Sequence, residues 1–128
     1  MIGTLEAPYE HIRLKVTSQI ERTHRLTAVK KELESVAFCE QMMAGDVFVN
    51  VGSNVGCYAL VAWSRGVRTW AIEPHGPTFQ RLLENRDLNH AETMTCYRFA
   101  ISDSNGTVSL AESSPEPGAA CHQIMRFQ

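Results

Sequence analysis

Long apolar runs are missing from this sequence. Nowhere do eighteen apolar residues follow one another, so no membrane-spanning helix is expected. No basic-then-apolar leader opens the chain, and no targeting segment is expected either. Paired cysteines are also missing. Cys39, Cys57, Cys96 and Cys121 are widely spaced, form no C-x-x-C pair and share no ligand spacing with His11, His24, His75, His90 or His122. A zinc or other metal site and a disulfide framework are therefore not expected. Isolated cysteines of this kind behave as small buried hydrophobes, and reduced thiols fit a cytoplasmic setting. Charge of one sign is scarce: the net charge is −2, which gives no global pull toward nucleic acid or an anionic membrane. The basic residues near the start (Arg13, Lys15, Arg22, Arg25, Lys30 and Lys31) read as a solvated face. Internal repeats and low-complexity tracts are absent, and Ser113-Ser114-Pro115-Glu116-Pro117-Gly118 is the clear loop or linker.

What remains is an ordinary globular composition. The 128 residues are 44% hydrophobic and 20% charged, enough to bury roughly two-thirds of the unfolded surface in one core. Between His11 and Ile20, Ile12, Leu14 and Val16 alternate with Arg13, Lys15 and Thr17, which predicts an edge strand or extended arm. Val29, Leu33, Val36, Ala37 and Met43 recur at helical spacing, so one amphipathic helix is predicted from about Thr27 to Met43, ended by Gly45. Val47-Phe48-Val49-Asn50-Val51 is apolar on both faces, as a parallel strand covered by helices on each side would be. A helix from Val55 to Arg65 follows, then a second strand at Thr69-Trp70-Ala71-Ile72. The next helix has Pro77 in its first turn, runs to about Asn89 and turns Phe79, Leu82, Leu83 and Leu88 inward. A third strand is predicted from Thr93 to Ile101, and the Asn105-Gly106 turn before Thr107-Val108-Ser109-Leu110 predicts a hairpin there. Helices alternating with strands indicate an α/β class with a parallel sheet. Ligands in such sheets lie beyond the carboxyl ends of the strands. The loops after Val51, Ile72 and Ile101 are therefore the candidate ligand-binding loops.

Gly52-Ser53-Asn54-Val55-Gly56 lies at the first strand-to-helix turn. Glycine at both ends permits a sharp bend against which a ligand can lie on bare main chain, and the next helix opens with free N–H groups. Glu73 ends the second strand, twenty-one residues after Gly52. A carboxylate there can accept hydrogen bonds from vicinal ribose hydroxyls, each charge-assisted bond worth roughly 1.5–3 kcal/mol. Together these features indicate a nucleoside-containing ligand. A dinucleotide fingerprint would need glycine where Asn54 and Cys57 stand, and a P-loop would need Gly-Lys-Ser or Gly-Lys-Thr. An adenosyl ligand without phosphates needs less room, which points to S-adenosylmethionine.

The stretch from Ala44 to Tyr58, Ala-Gly-Asp-Val-Phe-Val-Asn-Val-Gly-Ser-Asn-Val-Gly-Cys-Tyr, resembles the first motif of the FkbM-type methyltransferase family. Ala71-Ile72-Glu73-Pro74-His75 resembles its second motif, and the run from Phe79 through Asn89 continues in the same style. Ala100-Ile101-Ser102-Asp103-Ser104-Asn105-Gly106-Thr107-Val108 is similar to the segment where the family's third strand meets a hairpin, and Lys31 to Val36 matches its helix before the first strand. The resemblance covers roughly residues 28 to 110.

It implies a Rossmann-like class I methyltransferase fold, of which this chain would hold the N-terminal cofactor-binding half plus a hairpin. Residues 1–26 would be an N-terminal arm or edge strand, 27–110 the Rossmann-like cofactor-binding domain and 111–128 a loop and tail. Gly52, Ser53, Asn54 and Gly56 would line the methionine and ribose portions of S-adenosylmethionine. Glu73 would hold the ribose hydroxyls, Pro74 and His75 would shape the adenine edge, and Ala100 and Ile101 would lie near the ring. Asn50 stands where the family usually has aspartate; it keeps the hydrogen-bonding shape and loses the charge that complements the cofactor's ammonium. The implied acceptor is a hydroxyl of a small molecule, sugar or lipid. Its catalytic residues belong to the half of the family fold not matched here.

Other residues have plainer readings. His75 reads as a surface loop histidine rather than a base, Tyr58 and Trp70 as core or pocket wall, and Asp103 as a turn stabiliser. Cys121-His122 falls in a poorly patterned tail. Two rivals stand beside the methyltransferase. One is a catalytically incomplete fragment or remnant that acts through a partner, or self-associates through an exposed sheet edge. The other is a nicotinamide-binding domain, which the glycine spacing disfavours.

Overall fold

A computed structural model describes residues 1–125; the end of the expected tail, 126–128, lies outside the described residues. The elements in chain order are β1 (Ile2–Thr4), β2 (Arg13–Lys15), a π-helical turn (Glu21–Arg25), α1 (Ala28–Lys31), α2 (Leu33–Gln41), β3 (Val47–Val51), α3 (Cys57–Ser64), β4 (Arg68–Ile72), α4 (Gly76–Leu88), β5 (Thr95–Tyr97), β6 (Ser109–Ala111) and β7 (Gln123–Met125). The central sheet is parallel throughout, in the order β3-β4-β5. Val51 is level with Ile72 and Ile72 with Tyr97, so the three carboxyl ends open on one side. The α/β class and parallel sheet expected from the alternating pattern are present.

Helix α3 is the apolar centre: Ala59, Leu60, Val61 and Ala62 are fully buried and pack with Phe48, Ala71, Leu82 and Met94. Its end is tied by Gly66 N–H to Trp63 O (3.0 Å) and Val67 N–H to Ala62 O (3.2 Å), the paired bonds of a helix that stops cleanly. Burial pushes the Cys57 thiol up to about 12, as suits a sulfur that packs and does not react.

Five expectations change. The helix over 27–43 is broken at Glu32, whose backbone leaves the helical region. The break re-phases the buried stripe onto Val29, Val36 and Cys39 and leaves Leu33, Phe38 and Met43 exposed. The inward face of α4 is more polar than its leucines suggested. Thr78, Arg81 and Asn85 are buried beside Leu82, while Leu83 and Leu88 are half-buried. The third strand contracts to Thr95–Tyr97, and β6 pairs antiparallel with β7, not across the Asn105-Gly106 turn. Finally, the described residues cover β3 on one face only. Phe48 is buried, whereas Val47, Val49 and Val51 are 52%, 48% and 57% exposed.

The polar face of α4 has a partner in the N-terminal arm. Ile12, Leu14 and Val16 are buried as the alternation predicted, and β2 pairs with β1 rather than with the central sheet. The other edge of β2 is met by side-chain amides. Asn89 Oδ1 accepts from Arg13 N–H (2.8 Å) and Asn85 Oδ1 from Lys15 N–H (2.8 Å), while Asn85 Nδ2 donates to Val55 O (2.9 Å). Arg81 donates to Lys15 O (2.9 Å) and Thr17 Oγ1 (2.8 Å) and forms a buried ion pair with Glu21.

Candidate functional site

The bend after β3 is bare. Gly52 has a φ of +73°, and a Cβ built there would meet none of the described residues within 4 Å. From the next strand the Glu73 carboxylate turns toward that bend. Its Oε1 accepts the Asn54 N–H (2.8 Å) and its Oε2 accepts the His75 N–H (3.0 Å), with the residue 5% exposed. Each carboxylate oxygen has a further lone pair, so this anchoring fixes the group without exhausting it as an acceptor.

Between the bend and the carboxylate lies a cavity of about 300 Å³ lined by Gly52, Asn54, Glu73, Pro74, Ala100 and Ile101, among others. A second cavity, of about 480 Å³, shares Pro74, Phe99, Ala100 and Leu110 with the first and continues past His75, Arg98 and Glu112. The pair forms one cleft along the carboxyl ends of the strands, within the usual size of a small-molecule site.

Of the remaining expected residues, His75 lines the larger cavity and Asn50 a separate one. Ser53 is buried; its hydroxyl donates to Asn50 O (2.7 Å) and accepts from Ile72 N–H (3.1 Å), cross-linking the ends of β3 and β4. Gly56 has a φ of +99°, and a Cβ there would come within 2.7 Å of Leu82 Cδ1, so its smallness serves the packing of α4. Asn50 points to a separate cavity of about 330 Å³ with Glu34, Ser35, Phe38 and Tyr58. Among the described residues its Oδ1 has no hydrogen-bond partner. His75 is no surface histidine: it is fully buried and stacks on His122, with ring centroids 3.9 Å apart. Tyr58 is half-buried, and Trp70 meets Tyr97 edge-on across the open sheet face.

Sequence reasoning passed over one side of the cleft. Ala119, Ala120, Cys121, His122 and Ile124 line the smaller cavity opposite Gly52 and Glu73. The Asn54 amide holds this segment by donating to Ala119 O (2.9 Å). Small residues directly after Pro117-Gly118 were the available signal of a close approach, and the segment carries no periodicity that would have exposed it.

The chain is 31% identical over 106 residues to the hexuronic acid methyltransferase AglP of Haloferax volcanii, a match covering 82% of this chain and 43% of the relative. It resembles a methyltransferase. The chain spans less than half the length of that relative. Among solved structures, the Pyrococcus horikoshii protein PH0793 shares the fold at a TM-score of 0.52 and 18% identity, over 78% of this chain and 36% of that one. P. horikoshii TYW2, solved in complex with MeSAdo, gives a TM-score of 0.48 and 26% identity over 58% of this chain and 29% of the other. No protein-family profile matches the chain. Among the described residues, no helix is long and apolar enough to cross a membrane.

Proposed function

We propose that this chain is the cofactor-binding portion of an S-adenosylmethionine-dependent methyltransferase of the FkbM type. The observation that carries the reading is the open bend at Gly52 facing the anchored carboxylate of Glu73. The cofactor fits this arrangement. The bend leaves room for a ligand on bare backbone, and the free lone pairs of Glu73 suit two ribose hydroxyls. Pro74, Ala100 and Ile101 offer an apolar wall for the adenine. Gly52 and Asn54 would border the ribose and methionine portions. Bound there, S-adenosylmethionine supplies the methyl group. The chain's own part is to hold and orient it, since placement in line accounts for up to roughly 7–11 kcal/mol of such a reaction.

The acceptor in this reading is a hydroxyl of a sugar, small molecule or lipid, and of these the likeness to a hexuronic acid methyltransferase supports the sugar. The reading includes no metal and no nucleic acid, and its reduced thiols suit a cytoplasmic setting.

Calorimetry with S-adenosylhomocysteine tests this. Glu73→Gln keeps the size of the side chain and removes its charge, and is expected to weaken binding by about tenfold, or 1.4 kcal/mol. Binding at the wild-type level in that variant contradicts the ribose contact.

A second reading is favoured by the bare face of β3. A chain with this surface uncovered would work only when another segment or a second copy packs on Val47, Val49 and Val51. Sedimentation at rising concentration tests the self-associating form: a constant monomer mass excludes it.

A further inference from the structure

The segment between β6 and β7 is fastened at two places of different chemistry. Its middle is held by hydrogen bonds from a hydroxyl, a guanidinium and a side-chain amide. Ser18 Oγ donates to Pro117 O (2.8 Å), Arg25 Nε and Nη2 donate to Gly118 O (3.0 and 2.5 Å), and Asn54 Nδ2 donates to Ala119 O. Its ends meet at two imidazoles. His75 and His122 stack with 29° between their planes. His75 Nδ1 bonds Thr78 Oγ1 (2.6 Å), and that oxygen also accepts the Gly118 N–H (3.2 Å). His122 Nδ1 accepts the Ser113 N–H (3.1 Å).

We propose that this stack is an acid-released latch: with both rings neutral it holds the ends of the 112–122 segment across the cleft, and protonation of the stacked pair frees the Ser113 end. That the latch governs access to the cofactor rests on the function proposed above; the latch itself does not.

The charges around the stack settle its direction. Glu73, whose Oε2 takes the His75 N–H, and Glu112, whose Oε1 lies 3.3 Å from His75 Nε2, both favour a charged His75. Complete burial opposes it, as does His122; Arg98, lining the same cavity, carries the like sign. Burial is the largest influence, then His122, and the His75 pKa falls below its ordinary value. The closed form thus binds a proton less readily than the open form. Its stability is fully present above the ordinary histidine range and is lost as pH falls through the lowered value. A proton on His122 Nδ1 also displaces the Ser113 N–H. Two imidazolium rings 3.9 Å apart would repel each other.

Hydrogen exchange on the ligand-free chain tests this, with rates corrected for the intrinsic effect of pH. Between about pH 7.5 and about pH 5.5, protection of the Ser113 amide is expected to fall about fivefold, the worth of one hydrogen bond. The Ala119 amide (to Glu116 O) and the Leu60 amide (to Gly56 O) should hold. His122→Gln can still accept from Ser113 but does not titrate, and should abolish the fall. Unchanged Ser113 protection in the wild type, an equal fall in His122→Gln, or Ala119 and Leu60 falling in step would each overturn the latch. None of these outcomes bears on cofactor binding, which the calorimetry of Glu73→Gln reads separately.

Discussion

Gly52 and Gly56 both sit in the left-handed backbone region, yet they answer to different demands. At Gly52 a methyl group would project into open space; at Gly56 it would strike Leu82. Gly52→Ala is therefore expected to cost about 1–2 kcal/mol from backbone strain alone, with a further loss of affinity for S-adenosylhomocysteine because the methyl group stands where the ligand would lie. Gly56→Ala adds overpacking of about 1–3 kcal/mol to the same strain. Thermal unfolding and calorimetry on the two variants separate these roles. If Gly56→Ala proves as stable as Gly52→Ala, the packing role assigned to Gly56 fails. In the sequence the two glycines looked alike, because the motif records where the chain bends and not which side of the bend is filled. Glu73 was legible, since a carboxylate ending a buried strand is costly to desolvate unless donors meet it there. Ser53 was not: its hydroxyl is consumed by Asn50 and Ile72, partners that no local pattern displays.

At the scale of elements, α4 shows where periodicity stops informing. Its apolar spacing located the helix within a residue or so, but the buried face is completed by Arg81 and Asn85 because its neighbour is the edge of a strand that needs hydrogen bonds. Asn85 satisfies both Lys15 N–H and Val55 O. Asn85→Ala is expected to destabilise the fold by about 1–3 kcal/mol for each group left without a partner. Urea denaturation reads that cost, with Asp87→Ala on the exposed side of the helix as a control expected within about 0.5 kcal/mol of wild type. A cost for Asn85→Ala no larger than the control would show that the amide bridge contributes nothing. The β6–β7 pairing was equally illegible. The Asn105-Gly106 dipeptide has the composition of a tight hairpin, but β6 finds its partner beyond the Pro117-Gly118 bend, and such long-range choices leave no local trace.

At the scale of the whole molecule, the unbroken apolar run of β3 indicated burial on both faces. The described residues cover only the face of Phe48. An exposed row of valines beside Tyr97, Phe99 and Ile101 is the kind of continuous apolar surface that marks an interface. Val49→Lys lies on this surface, away from the cleft. It is expected to change stability by less than about 0.5 kcal/mol while lowering self-association, as read by sedimentation velocity. Association undiminished by this charge would place the contact elsewhere on the molecule.

The central claim is that an adenosyl group lies between the Gly52 bend and the Glu73 carboxylate. Backbone amide shifts recorded while S-adenosylhomocysteine is added test it most directly. The largest changes should fall on Gly52, Asn54, Glu73, Ala100 and Ile101, with the Arg13 and Lys15 amides of β2 unmoved. Saturating ligand that shifts none of those cleft amides, or only residues remote from them, would contradict it.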